Sequence, residues 1–251
     1  KNMPKDGRSV YLPSPYTANA KKVVYFPSCI ARNMGPGEEH SDRRPEPEAV
    51  ISVLLKGGYD VILPNNLDKL CCGMAFASKG LADAAHKKEK ELEAALKEAS
   101  NNGQYPVLCE TSPCLLHMKQ TLDPSIKLME PVQFILENLM DTLKLKKLPK
   151  TVALHATCSM RKMGLEGKLE ELARKCAENV IVPEGINCCG WAGDRGFTHP
   201  ELNEAALKGL RMQVSTCEVG YSSSRTCQIG LSLHGGIPYY SIVYLVDEAS
   251  E

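Results

Sequence analysis

The sequence predicts an α/β fold of two tandem, pseudo-symmetric lobes, each a small parallel sheet flanked by helices. Three observations predict it. Short apolar strands alternate with amphipathic helices along most of the chain. The tripeptide Cys-Cys-Gly occurs twice, at Cys71-Cys72-Gly73 and Cys188-Cys189-Gly190, with one Cys well upstream and one well downstream of each. These cysteines also follow the ends of strands. Alternation of strand and helix implies parallel pairing through right-handed crossovers, with the functional loops at the strands' carboxyl ends.

Residues 1–20 are polar and Pro-containing, begin at Lys1 without a Met, and read as a linker within a longer protein. The first lobe is expected over 21–143. Lys21 to Phe26 is an apolar strand that places Cys29 just past its end, before a Gly/Pro/charge-rich loop from Asn33 to Pro47. Glu48 to Leu55 has helical period and stops at Gly57-Gly58. Tyr59 to Leu63 is a second strand, delivering Cys71 and Cys72 through the turn Pro64-Asn65-Asn66. Leu81, Ala84, Ala85, Leu92, Ala95, Leu96 and Ala99 keep helical spacing, and Asn101-Asn102-Gly103 ends that helix. Tyr105 to Cys109 is a third strand with Cys114 in the loop beyond it, Ile126 to Met129 a fourth, and Val132 to Leu143 the closing helix.

Residues 144–150 read as a linker, and 151–251 as the second lobe. It runs the same course: strand Val152 to His155, helix Leu165 to Ala177, strand Val180 to Val182, the Cys pair, helix Glu201 to Thr216, strand Val219 to Ser222, then Cys227. Ile237 to Val246 supplies a last strand and a short helix. The halves agree beyond the tripeptide. Cys29-Ile30-Ala31-Arg32-Asn33-Met34-Gly35 matches Cys158-Ser159-Met160-Arg161-Lys162-Met163-Gly164, a Cys-x-x-Arg-x-Met-Gly string in both.

Thirty basic residues balance thirty acidic ones, and neither sign is concentrated, so no nucleic-acid partner or anionic membrane surface is indicated. No run reaches the roughly 20 apolar residues that span a bilayer, so any membrane contact is expected to be peripheral. Eleven cysteines, an odd number that includes adjacent pairs, argue against a secreted disulfide scaffold and for metal thiolates in a reducing, cytoplasmic setting.

Thiolates select zinc or iron-sulfur clusters over hard cations. Adjacent cysteines chelate one small tetrahedral ion poorly, whereas a larger cluster accepts neighbouring thiolates more readily, so iron-sulfur is favoured and zinc is its substitute. The candidate ligands are Cys29, Cys71, Cys72 and Cys114 in the first lobe, with Cys109 either a fifth ligand or a buried strand residue. Cys158, Cys188, Cys189 and Cys227 are the candidates in the second. Gly73 and Gly190 would let the backbone approach inorganic sulfur and take turns closed to other residues. Arg32, Arg161 and His155 are candidates to face an anionic cluster or substrate. Cys176 and Cys217 lie on apolar helical stripes and read as core.

The double Cys, Cys-Cys-Gly, Cys pattern resembles the cysteine-rich CCG domain found in heterodisulfide reductase, in the iron-sulfur subunits of glycolate oxidase and anaerobic glycerol-3-phosphate dehydrogenase, and in the C-terminal part of FAD-linked D-lactate dehydrogenases. Cys188-Cys189-Gly190-Trp191-Ala192-Gly193-Asp194-Arg195-Gly196 looks most like the D-lactate dehydrogenase branch, as does Met3-Pro4-Lys5. The resemblance implies one or two iron-sulfur clusters, 4Fe-4S and in some members non-cubane. They pass electrons between a flavin and a quinone, cytochrome or disulfide. The third element departs from the heterodisulfide reductase pattern, which ends in Cys-x-x-Cys. Here the first lobe has Cys109-Glu110-Thr111-Ser112-Pro113-Cys114 and the second only Cys227, with Ser224 near the partner's place. Four ligands per lobe, or one competent lobe and one vestigial, both stay open.

The expected function is an electron-transfer module of an FAD-linked D-2-hydroxyacid dehydrogenase, acting on D-lactate, at the inner face of the membrane. No G-x-G-x-x-G fingerprint follows a strand, so the FAD is expected on a dehydrogenase domain or subunit outside this chain, and the chain alone is expected to be inactive on lactate. Two other readings compete: a thiol/disulfide reductase subunit, and a zinc-stabilised scaffold that docks the flavin domain.

Overall fold

The computed structural model describes residues 20–35 and 43–251; residues 1–19 of the predicted linker over 1–20, and residues 36–42 of the loop after Asn33, lie outside them. The chain divides into two compact units that part between Thr142 and Leu143.

In the first unit, β1 (Lys21–Tyr25) leads into α1 (Cys29–Asn33), then α2 (Glu46–Lys56), β2 (Tyr59–Ile62), α3 (Met74–Ala77) and α4 (Ala82–Ala99). β3 (Val107–Leu108), α5 (Ser112–Thr121), β4 (Leu128–Met129) and α6 (Pro131–Asn138) complete it. The strands pair in parallel in the order β2-β1-β3-β4. β1 is buried from Val23 onward because both faces of a parallel sheet are covered by its crossover helices. α4 turns Ala85, Leu92 and Leu96 inward, and Gly57 and Gly58 close α2 as expected, Gly58 at φ +80°.

The second unit repeats the plan with β5 (Leu148–Leu154), α7 (Cys158–Lys162), α8 (Glu166–Cys176) and β6 (Ala177–Ile181). α9 (Pro200–Ala206), α10 (Leu210–Gln213), β7 (Val219–Ser222), α11 (Arg225–Gly235), β8 (Tyr239–Ser241) and α12 (Ile242–Ala249) follow. The order β6-β5-β7-β8 is again parallel throughout, so the fold is α/β with two four-stranded parallel sheets flanked by helices. Cys176 and Cys217 are buried.

Three local expectations need correction. β5 starts at Leu148, inside the segment read as a linker; Pro149 lacks an N–H, and the register with β6 shifts between Leu148 and Thr151. The single helix expected over Glu201 to Thr216 is two, because Gly209 adopts φ +84° between α9 and α10. Cys114, expected in the loop beyond the third strand, lies in the first turn of α5, as Cys227 does in α11, and Cys29 and Cys158 open α1 and α7.

Candidate metal centre

In each sheet the strand order reverses at the first strand, between β1 and β3 and between β5 and β7. Loops leaving such neighbours diverge to opposite sides and open a crevice at the carboxyl ends. The helices that begin at or just before Cys29 and Cys114 follow β1 and β3, and those at Cys158 and Cys227 follow β5 and β7. The Cys-Cys-Gly loops arrive from β2 and β6.

Local chemistry fixes these turns. Ser28 caps α1 by accepting from the Ala31 amide, and Thr157 caps α7 by accepting from the Met160 amide at 3.2 Å. Ser28 donates from its amide (3.0 Å) and its hydroxyl (2.7 Å) to Glu110 Oε1, and its hydroxyl meets Thr111 Oγ1 at 2.8 Å. This buried network ties the turn before Cys29 to the turn before Cys114. The second lobe makes a lighter tie, Thr157 Oγ1 to Ser223 Oγ at 3.3 Å. Sequence periodicity gave no sign of Glu110 or Ser28 in this role; the Ser immediately before the helix-opening Cys was the available signal.

The four repeated thiols of each lobe come together in one order. In the first lobe, contacts between thiols link Cys29 to Cys71, Cys71 to Cys72 and Cys72 to Cys114. In the second, Cys188 bonds Cys158 and Cys189, and Cys189 donates to Cys227 at 2.9 Å. Each row runs inward: Cys29 and Cys71 are half-buried and Cys158 and Cys188 exposed, whereas Cys72, Cys114, Cys189 and Cys227 are buried. All eleven cysteines are free thiols.

In each row the thiol pushed downward is the first Cys of the pair. Contacts with Cys29 and Cys72 push the Cys71 thiol well below its usual range, helped by the Gly73 amide at 3.5 Å. The contacts of Cys188 with Cys158 and Cys189, with the Gly190 amide at 3.4 Å, push its thiol down in the same way. Their neighbours rise in turn: Cys29 and Cys158 by giving protons to Cys71 and Cys188, Cys72 chiefly through Cys114, and Cys189 chiefly through Cys188.

Gly73 and Gly190 both hold left-handed backbone, at φ +88° and +69°. The space a side chain would need is filled by protein rather than left open to a cluster. A Cβ at Gly190 would stand 2.4 Å from the Leu202 carbonyl oxygen and 2.7 Å from Ala206 Cβ, and one at Gly73 would stand 2.9 Å from the Ala85 carbonyl oxygen. Asn203 of α9 donates to the Cys189 carbonyl and fixes the same loop.

Cys109 stands outside the row. It is fully buried, its sulfur lies 4.0 Å from the Thr111 carbonyl oxygen, and burial raises its thiol. Arg32 is a strap: Nε donates to the Pro27 carbonyl (3.2 Å) and Nη2 to the Leu70 carbonyl (2.7 Å), bracing the segments before Cys29 and Cys71. Arg161 differs, since its buried Nε has no hydrogen-bond partner. His155 is 2% exposed, and burial first, with Arg161 beside it, pulls its pKa down to about 4 against the opposing charge of Cys188.

Among the described residues no three His, Cys, Asp or Glu side chains surround a single ion position. Two thiolates on one zinc stand about 3.8 Å apart at bond lengths of about 2.3 Å, so the 2.9 Å contact of Cys189 and Cys227 would have to open to share one, and further to reach separate irons. A row of soft donors suits a centre whose metal atoms are spread out, and in donor chemistry the residues fit an iron-sulfur cluster.

Residues 23–119 and 152–231 each match the family described as CCG, cysteine-rich domain. The chain is 25% identical over 190 residues to a subunit of the anaerobic glycerol-3-phosphate dehydrogenase of Escherichia coli (strain K12), covering 65% of this chain and 48% of that protein. It is also 25% identical over 188 residues to lactate utilization protein A of Oceanobacillus iheyensis, covering 68% of this chain and 74% of that one. The chain thus spans about half the length of the Escherichia coli protein. Among solved structures, the aspartate racemase of Picrophilus torridus aligns over 92% of this chain and 95% of its own, at 12% identity and a TM-score of 0.36.

Proposed function

This chain belongs to the CCG cysteine-rich domain family, of which it carries two copies, and we propose that it is the iron-sulfur electron-transfer module of an FAD-linked D-2-hydroxyacid dehydrogenase, with D-lactate as the substrate. The observation that carries this reading is the pair of four-thiol rows, Cys29, Cys71, Cys72, Cys114 and Cys158, Cys188, Cys189, Cys227, built by the same helix starts in both lobes. The relatives support an oxidoreductase setting: one is named as part of a dehydrogenase and the other for lactate utilization.

The eight thiolates would hold the clusters, one in each lobe, and a bound cluster would supply one-electron chemistry. The chain's own contribution is positional. Ser28 and Glu110 hold the helix starts of the first lobe together, Asn203 and Gly190 lock the second Cys-Cys-Gly loop against α9, and the inner thiols are shielded from water. The catalytic partner is a flavin-bearing domain or subunit, and the acceptor a quinone or cytochrome. Among the described residues no helix is long and apolar enough to cross a membrane. We place the protein in the cytoplasm, peripheral at the inner face of the membrane.

The test is reduction by the partner. Mixed anaerobically with the flavin-bearing dehydrogenase, the chain's visible iron-sulfur absorption should bleach on addition of D-lactate and recover on addition of a quinone. Bleaching with glycerol 3-phosphate and not with D-lactate would move the assignment to another dehydrogenase.

A specific observation favours a second reading. Cys188 is exposed and its thiol is pushed down, chiefly by Cys158, toward the thiolate that attacks a disulfide sulfur. Reduction of one small disulfide per chain by the metal-free protein, with Cys188 and a neighbouring thiol of its row oxidised to a disulfide, and its loss in Cys188→Ser, would favour a thiol/disulfide reductase.

A further inference from the structure

The two lobes match thiol for thiol but not in the residue three positions before the first Cys, which is Phe26 in one and His155 in the other. His155 ends the segment leaving β5, and Ser222 at the end of β7 fixes its ring. Ser222 Oγ donates its one proton to the His155 carbonyl oxygen at 2.9 Å. Its 3.3 Å contact with His155 Nδ1 therefore has Nδ1–H as the donor. The tautomer follows: Nδ1 carries the proton and Nε2 carries a lone pair.

That lone pair is buried and has no hydrogen-bond partner. An orphaned buried acceptor costs on the order of 1 to 3 kcal/mol, and a bound ion is one of the partners that satisfies such a group. The ring stands within electrostatic reach of Cys188 and of Arg161, whose Nε is unpartnered as well. An imidazole with one nitrogen anchored through its N–H and the other bare is the form in which histidine binds metals. The first lobe offers nothing similar, because Phe26 has no donor atom and Arg32 is bound to two carbonyls.

We propose that His155 Nε2 is a nitrogen donor to the metal centre of the second lobe, taking the place of one of the four thiolates of Cys158, Cys188, Cys189 and Cys227, so that the two lobes hold chemically different centres. The inference rests on the iron-sulfur reading above. Replacing thiolate by imidazole at an iron removes negative charge and raises the reduction potential, so the second-lobe centre is the more easily reduced of the two.

The experiment uses the full chain, purified anaerobically, labelled with ¹⁵N-histidine and depleted of the first-lobe cluster by Cys72→Ser. Pulsed EPR should show a strongly coupled, directly bonded nitrogen; for a diamagnetic centre, Mössbauer spectra should show one iron site distinct from the thiolate-bound ones. His155→Phe, which installs the residue the first lobe already tolerates, should abolish that signature and lower the potential of the remaining centre. Iron bound with no such nitrogen in the unsubstituted second lobe overturns the proposal, and so does a weak coupling typical of a hydrogen bond alone. A chain without iron overturns the iron-sulfur reading itself, and this proposal with it.

Discussion

Cys189 donates its thiol proton to the sulfur of Cys227 across 2.9 Å, linking the residue before Gly190 to the first turn of α11. The two are 38 positions apart, and β7 with its neighbour β5 brings them together. Metal binding displaces such protons and is coupled to the folding of the loops that supply the ligands. A thiol in the row and a thiol in the core should therefore fail in different ways.

Cys109 and Cys176 are the core cases. Neither joins a row, and both are 0% exposed. Serine at either position buries a hydroxyl and should cost about 1 to 3 kcal/mol. Thermal unfolding of Cys109→Ser and Cys176→Ser should show a lowered melting temperature at unchanged iron per chain. Loss of first-lobe iron from Cys109→Ser would make that residue a ligand after all.

The glycine of the second tripeptide should be far less replaceable than a glycine three positions on. Gly190→Ala meets the Leu202 carbonyl oxygen and Ala206 on a left-handed backbone, whereas a Cβ at Gly193, also left-handed at φ +74°, meets nothing within 4 Å. Denaturant titration should find Gly193→Ala destabilised by about 1 kcal/mol, from backbone strain alone. Gly190→Ala should lose on the order of 3 kcal/mol or more. Equal losses would show that packing against α9 is not what the glycine serves.

Much of this was legible in the sequence. The duplicated Cys-Cys-Gly identified the repeat, and strand–helix alternation identified the parallel sheets, because both are local patterns with a fixed period. β7 falls where its apolar run places it, over Val219–Ser222. What was not legible depends on contacts between distant segments. The helix starts at Cys29 and Cys158 span only five residues each, too few for periodicity to register, and only the caps Ser28 and Thr157 mark them. Arg32 and Arg161 occupy the same place in the same string, yet one is bound to Pro27 and Leu70 and the other has an unpartnered Nε. The Glu110 network likewise joins residues 82 positions apart.

Glu130 gives the first lobe a pH dependence. Its side chain caps α6, and burial raises its carboxyl to about 8 against the backbone hydrogen bonds that favour ionisation. The folded pKa lies above the unfolded one, so the unfolded chain binds fewer protons between about 4.5 and 8. Stability from this group is complete below that window and is lost as pH rises through it, at up to about 1.4 kcal/mol per pH unit. The melting temperature of wild type relative to Glu130→Gln should fall between pH 5.5 and 7.5. A constant difference would mean that the carboxyl is already ionised in the folded protein.

The central claim is that each thiol row holds its own iron-sulfur centre. Iron and acid-labile sulfide should be measured per chain in anaerobically purified wild type, Cys72→Ser and Cys189→Ser. The expected result is iron with matching sulfide in wild type, and loss of one lobe's share in each variant. Equal iron in all three proteins, or none in wild type, would contradict it.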